Sequence, residues 1–123
     1  AELAEQNLEK ALSDAIGAAS AASKVHEILS QALEHMPTIE EVAARLHTSA
    51  ATLTRRLRSE ERSFQQIKDS VRYQHAQRML LETHQSVDQI ADALGYSDAS
   101  NFTKAFKNWS GVSPSQYRQQ NLD

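Results

Sequence analysis

A chain of 123 residues is one domain's worth of sequence, and 3 Gly and 2 Pro are too few for the turns of a β-rich fold, so helices are favoured. The absence of Cys excludes disulfides, Cys-ligated zinc, iron–sulfur clusters and a thiol nucleophile. A net charge of −3 argues against a nucleic-acid partner until the charges are placed along the chain.

Residues 1–23 are Ala-rich, with Leu3, Leu8, Leu12 and Ile16 near helical spacing. They read as a helical arm that passes into a linker-like run over 18–23, with Ser23 as the cap of the next helix. Val25, Ile28, Leu29, Ala32, Leu33 and Met36 then form one apolar stripe, which Pro37 ends. Three helix starts follow with one chemistry: Thr38 with Glu41, Ser86 with Gln89, and Ser113 with Gln116 behind Pro114. Each is a capping box, in which a hydroxyl and a Glu or Gln satisfy orphan N–H groups of the first turn. Between the first two boxes, Phe64, Ile67, Val71, Ala76, Met79 and Leu80 predict a helix from a Ser63 cap, about 30 Å long at 1.5 Å per residue. No segment alternates as a strand does. The expected fold is all-α.

The chain also repeats itself. Residues 38–46 match 86–94 at an offset of 48, and 53–58 match 102–107 at an offset of 49, so the second copy carries one extra residue. Each copy reads as a short helix, a tight turn and a second helix. The turns are His47-Thr48 with Ser49 as cap, and Gly95-Tyr96 with Ser97 as cap. Gly95 suits a position with φ > 0, and the small Ala43 and Ala91 allow close helix approach. This is helix-turn-helix geometry.

Charge location now matters more than the total. Residues 1–35 carry six acids and two bases, net −4, and the remaining ten acids and eleven bases give net +1. Arg55, Arg56, Arg58 and Arg62 cluster, as do Lys104 and Lys107. On a helical wheel, Leu53 and Leu57 mark the core side of one second helix. Ala51, Thr52, Arg55 and Arg58 then point away, with Thr54 at the flank. Phe102, Phe106 and Trp109 mark the core side of its counterpart. There Ser100, Asn101, Lys104, Lys107 and Asn108 point away, with Thr103 at the flank. Small residues near the helix start let a helix sink into a major groove. Ser, Thr, Asn and Arg can bond base edges, and Lys or Arg can neutralise phosphates. Trp109, Phe102, Phe106 and Tyr117 are assigned to core packing rather than to base stacking.

The run Ser86-Val87-Asp88-Gln89-Ile90-Ala91-Asp92-Ala93-Leu94-Gly95-Tyr96-Ser97-Asp98-Ala99-Ser100-Asn101-Phe102-Thr103-Lys104-Ala105-Phe106-Lys107 continues through Trp109, Gly111, Ser113-Pro114 and Tyr117-Arg118. With it, residues 36–119 resemble the C-terminal DNA-binding domain of the AraC/XylS family of bacterial transcription regulators. The resemblance implies helix-turn-helix units at about 38–59 and 86–109, joined by a linker helix at about 63–83. That gives about seven helices within residues 24–123, plus the arm. It implies that two recognition helices enter successive major-groove segments of promoter DNA, about one turn apart. The family's base-contacting positions fall on Ala51, Thr54 and Arg55, and on Ala99, Ser100, Thr103 and Lys104. The free faces add Thr52 and Asn101. Ser49, Arg56, Arg58, Ser97 and Lys107 are expected to face phosphate. Ala51 and Ala99 cannot donate hydrogen bonds and would read thymine methyls or shape. Glu61 stands where relatives often have Gly. A left-handed residue there would cost about 1–2 kcal/mol, so a different helix exit is expected.

The resemblance further implies RNA polymerase as a partner and a bacterial cytoplasmic, nucleoid-associated setting; no cofactor is expected, and no membrane contact, since no stretch approaches the roughly 18 apolar residues a span needs. It makes residues 1–23 the end of an effector or dimerisation domain, or its linker. This chain is then expected to be monomeric, with room for a dimer of the full-length protein. The first residue is Ala rather than Met, which fits a processed product or, in line with the resemblance, a segment of a longer protein. An enzyme is not expected. The five His show no zinc-protease spacing, and no Gly-rich phosphate loop or Gly-x-Ser-x-Gly elbow is present. The competing reading is a protein-interaction module that uses Leu8, Leu12 and Ile16 of the acidic arm as a partner-binding stripe.

Overall fold

The computed structural model describes residues 20–121. The arm residues Leu3, Leu8, Leu12 and Ile16 lie outside the described residues. The elements in order are α1 (Ala21–Ser30), α2 (Ile39–Arg45), α3 (Ala50–Ser59), α4 (Phe64–Glu82), α5 (Val87–Ala93), α6 (Ala99–Ser110) and α7 (Pro114–Gln120). Among the described residues there is no strand.

The local chemistry accounts for most starts. The boxes at Thr38–Glu41, Ser86–Gln89 and Ser113–Gln116 are formed, and a further one joins Ser63 to Gln66. The start of α1 differs from expectation. Ser20, not Ser23, is its N-cap, and Ser23 donates its N–H to the Ser20 hydroxyl. Ala21–Ser23 are therefore helix rather than linker. A carboxylate from elsewhere helps: Glu60, at the end of α3, accepts the N–H groups of Ala21 (3.0 Å) and Ala22 (2.9 Å). Negative charge at a helix N-terminus opposes the macrodipole's positive end and fills orphan donors. The end of α1 also differs. It stops at Ser30, and Leu33 and Met36 reach the core from a connector of turns.

Two cores result. Val25, Leu29, Val42, Ala43, Leu53, Leu57, Ile67 and Val71 form the first, and Ala76, Leu80, Ile90, Ala91, Leu94, Phe102 and Phe106 the second. The 19-residue α4, about 28 Å long, serves both. Its N-terminal half packs on α1, α2 and α3 residues, and its C-terminal half on α5 and α7. The second core is aromatic. Phe106 meets Tyr73, Phe102, Trp109 and Tyr117 with ring centroids 5.3–6.5 Å apart, at the tilted or edge-on angles that ring quadrupoles favour. Arg118 of α7 closes the far end of α4. Its Nε donates to the Leu80 carbonyl (2.9 Å), and Nη2 to those of Met79 and Thr83. Carbonyls left over at a helix end are thereby satisfied.

Three turns share one hydrogen-bond pattern. Thr48 N–H donates to Ala43 O, Tyr96 N–H to Ala91 O, and Arg62 N–H to Leu57 O. Each follows a left-handed residue: His47 (φ 57°), Gly95 (φ 86°) and Glu61 (φ 59°). This is the Schellman closure. The chain therefore does not leave α3 by another route, contrary to expectation. The bond from Arg62 and the packing of α4 hold Glu61 left-handed despite its Cβ. Glu61→Gly is expected to stabilise the domain by about 0.5–1 kcal/mol, the relief of strain less the greater entropy of the unfolded glycine chain. A urea midpoint that is unchanged or lower would contradict this.

Candidate nucleic-acid interface

The outward faces of α3 and α6 carry the predicted residues. On α3, Leu53 and Leu57 are buried, and Ala51, Thr54, Arg55, Arg56 and Arg58 are exposed. Ser49 caps the helix and its hydroxyl donates to Thr52 Oγ1 (3.0 Å), which also accepts from Arg55 Nη2 (3.2 Å). This ladder at three-residue steps holds the guanidinium along the helix surface. Most of Arg55's five donors remain available for a ligand.

The remaining bases of α3 diverge. Arg58 and Thr54 border a groove of roughly 380 Å³ with Ile39, Arg62 and Phe64, beside the start of α4. Arg56 lies on the opposite flank, with Lys24 and Glu60 near α1. Arg62, which belongs to the same sequence cluster as Arg55, Arg56 and Arg58, adds a further base at this groove.

On α6, Phe102 and Phe106 are buried, Ser100, Asn101, Lys104 and Lys107 are exposed, and Ala99 and Thr103 are half-buried. The cap here corrects the sequence reading. It is Asp98, whose carboxylate accepts the Asn101 N–H at 2.8 Å, and not Ser97. The extra residue of the second copy explains the slip. At the offset of 49 that governs this helix, Asp98 is the counterpart of Ser49. Ser97 instead accepts from the Asn101 side-chain amide (3.1 Å). Asn101 is thus held as Arg55 is, through a neighbouring hydroxyl.

Electrostatically, both faces are available. Among the described residues the only ion pair is Arg78 with Glu82, so no acid of those residues pairs with the bases on these faces. Among those residues no cluster of His, Asp or Glu is placed to hold a metal ion, and no helix is long and apolar enough to cross a membrane.

The family described as a helix-turn-helix domain matches residues 42–120. The ornithine utilization regulator of Pseudomonas aeruginosa is 38% identical over 97 residues, which is 79% of this chain and 29% of that protein. The chain therefore spans less than a third of that relative's length. A DNA-binding transcriptional dual regulator from Escherichia coli K-12 superposes with a TM-score of 0.78 at 27% identity, over 82% of this chain and 91% of that one. The DNA-binding domain of AdpA, solved in complex with a target DNA, superposes with a TM-score of 0.69 at 28% identity, over 82% and 92%. The chain belongs to the AraC-type helix-turn-helix family of DNA-binding transcription regulators.

Proposed function

We propose that this domain reads promoter DNA through α3 and α6, each lying in one of two successive major-groove segments. The observation that carries the reading is the duplication of one face: a small residue at the helix start, a hydrogen-bonding residue tied to a neighbouring hydroxyl (Thr52 to Ser49, Asn101 to Ser97), then exposed bases. Ala51, Thr52, Thr54 and Arg55 read base edges from α3. Ala99, Ser100, Asn101, Thr103 and Lys104 do so from α6. Ser49, Arg56, Arg58, Ser97 and Lys107 face phosphates. The divergence of Arg56 and Arg58 to opposite flanks of α3 suits contacts to the two strands that wall one groove. Bound there, the protein regulates transcription in the bacterial cytoplasm, at the nucleoid, through contact with RNA polymerase. The isolated domain acts as a monomer.

Selection of bound duplexes from a random library tests this directly. It should return two half-sites about 10–10.5 bp apart. On that site Arg55→Ala should lose roughly 1–3 kcal/mol and relax preference at one base position. Lys107→Ala should weaken all sequences alike and lower the salt slope by about one. Binding that does not weaken as salt rises would rule out the phosphate contacts.

A further inference from the structure

The two helix-turn-helix units have separate cores, so something must fix the angle between their reading helices. Besides α4, few contacts cross between them. Leu33 borders both cores. Gly95 lies so close to the connector after α1 that an added Cβ would stand 2.8 Å from the carbonyl oxygens of Leu33 and Glu34. Beside Gly95, Tyr96 lies under a guanidinium from α4: Arg72 Cζ is 4.8 Å from the ring centroid. Arg72 sits one turn before Ala76 and two before Leu80, so it extends the stripe of α4 that faces the second unit. It follows Val71, which belongs to the first core.

Arg72 has no task in either core and none on the proposed DNA face. It is half-buried, and its Nε is buried without a hydrogen-bond partner among the described residues. Its planar cation is committed to the tyrosine ring, a contact that depends on ring position. Tyr96 occupies the turn between α5 and α6, so where its ring rests sets where α6 begins. Burial pushes the Tyr96 phenol above its ordinary range, with Arg72 pulling the other way through its charge and its hydrogen bonding to the phenol, and Asp69 adding to the rise. The phenol is therefore neutral at physiological pH, and the contact is cation to ring rather than an ion pair.

We propose that Arg72 is a positioning residue, which locks the second unit against α4 through Tyr96 and so sets the half-site spacing the protein accepts. This rests on the DNA-reading function proposed above, and the first measurement needs no DNA. The chain has no cysteine. Nitroxide labels at Ser59→Cys and Asn108→Cys, both exposed and one on each reading helix, therefore report the distance between the units. The unsubstituted chain and Tyr96→Phe, which keeps the ring, should give a single narrow distribution. Arg72→Met should broaden it while the far-UV circular dichroism stays native, and Arg72→Gln serves if Arg72→Met does not fold.

On the selected operator, insertion of one base pair between half-sites should cost the unsubstituted protein about tenfold in affinity. Arg72→Met should lose most of that discrimination yet bind each half-site alone as before. A purely structural defect would instead weaken every site together, by the fraction unfolded. A folded Arg72 variant with the narrow distribution of the unsubstituted protein overturns the proposal. Failure of the unsubstituted protein to bind any duplex overturns the DNA reading instead, and the distance measurement still decides the role of Arg72.

Discussion

Phe106→Ala is expected to destabilise the domain by about 3–5 kcal/mol, the range for a buried aromatic cut to alanine. Phe106 is fully buried and touches four other rings, so the cavity left behind has rigid walls on most sides and collapses poorly. The loss also has a direction. Phe106 belongs to the second core alone, and the sole tryptophan, Trp109, has its ring 6.5 Å away in the same cluster. Tryptophan fluorescence therefore follows the second unit, whereas far-UV circular dichroism follows all helices. In urea the fluorescence midpoint should fall well below the dichroism midpoint in the variant. Coincident midpoints near that of the unsubstituted protein would show that the aromatic cluster carries little of the stability.

Gly95→Ala is expected to cost about 2–4 kcal/mol. Roughly 1–2 kcal/mol comes from placing a Cβ in the left-handed region, and the rest from overpacking. The overlap is severe because both neighbours at 2.8 Å are backbone carbonyl oxygens, which cannot rotate away as a side chain would. Gly111 is the natural control. It caps α6 at φ 87°, and an added Cβ there meets nothing within 4 Å. Gly111→Ala should therefore show only the conformational part. Equal losses at both positions, measured by urea unfolding, would mean that the approach to the connector contributes nothing.

Features encoded within three or four residues were legible in advance. The capping boxes at Thr38, Ser86 and Ser113 depend only on spacing along one turn, and they formed as expected. The repeat placed α3 and α6, because duplicated apolar positions demand duplicated packing. What escaped depends on segments far apart in sequence. Glu60 caps α1 from 38 and 39 residues away, and Arg118 reaches α4 across 35 to 39. No local pattern announces either. Apolar spacing misplaced the end of α1, since a turn can return Leu33 and Met36 to the core as a helix would. The exchange of Ser97 for Asp98 was within reach: the offset of 49 already pointed to Asp98. Glu61 shows the limit of a residue preference, because one local strain of about 1–2 kcal/mol yields to a closed helix end and a packed α4.

The separation of the two cores also bears on how the chain acquires its structure. The buried residues of the first core all fall between Val25 and Val71, and those of the second between Ala76 and Phe106. Neither core draws its buried residues from the other's stretch of chain, so each closes its own loops independently. The first unit can thus be complete before the second has left the ribosome, with the growing α4 as the template on which the second unit assembles.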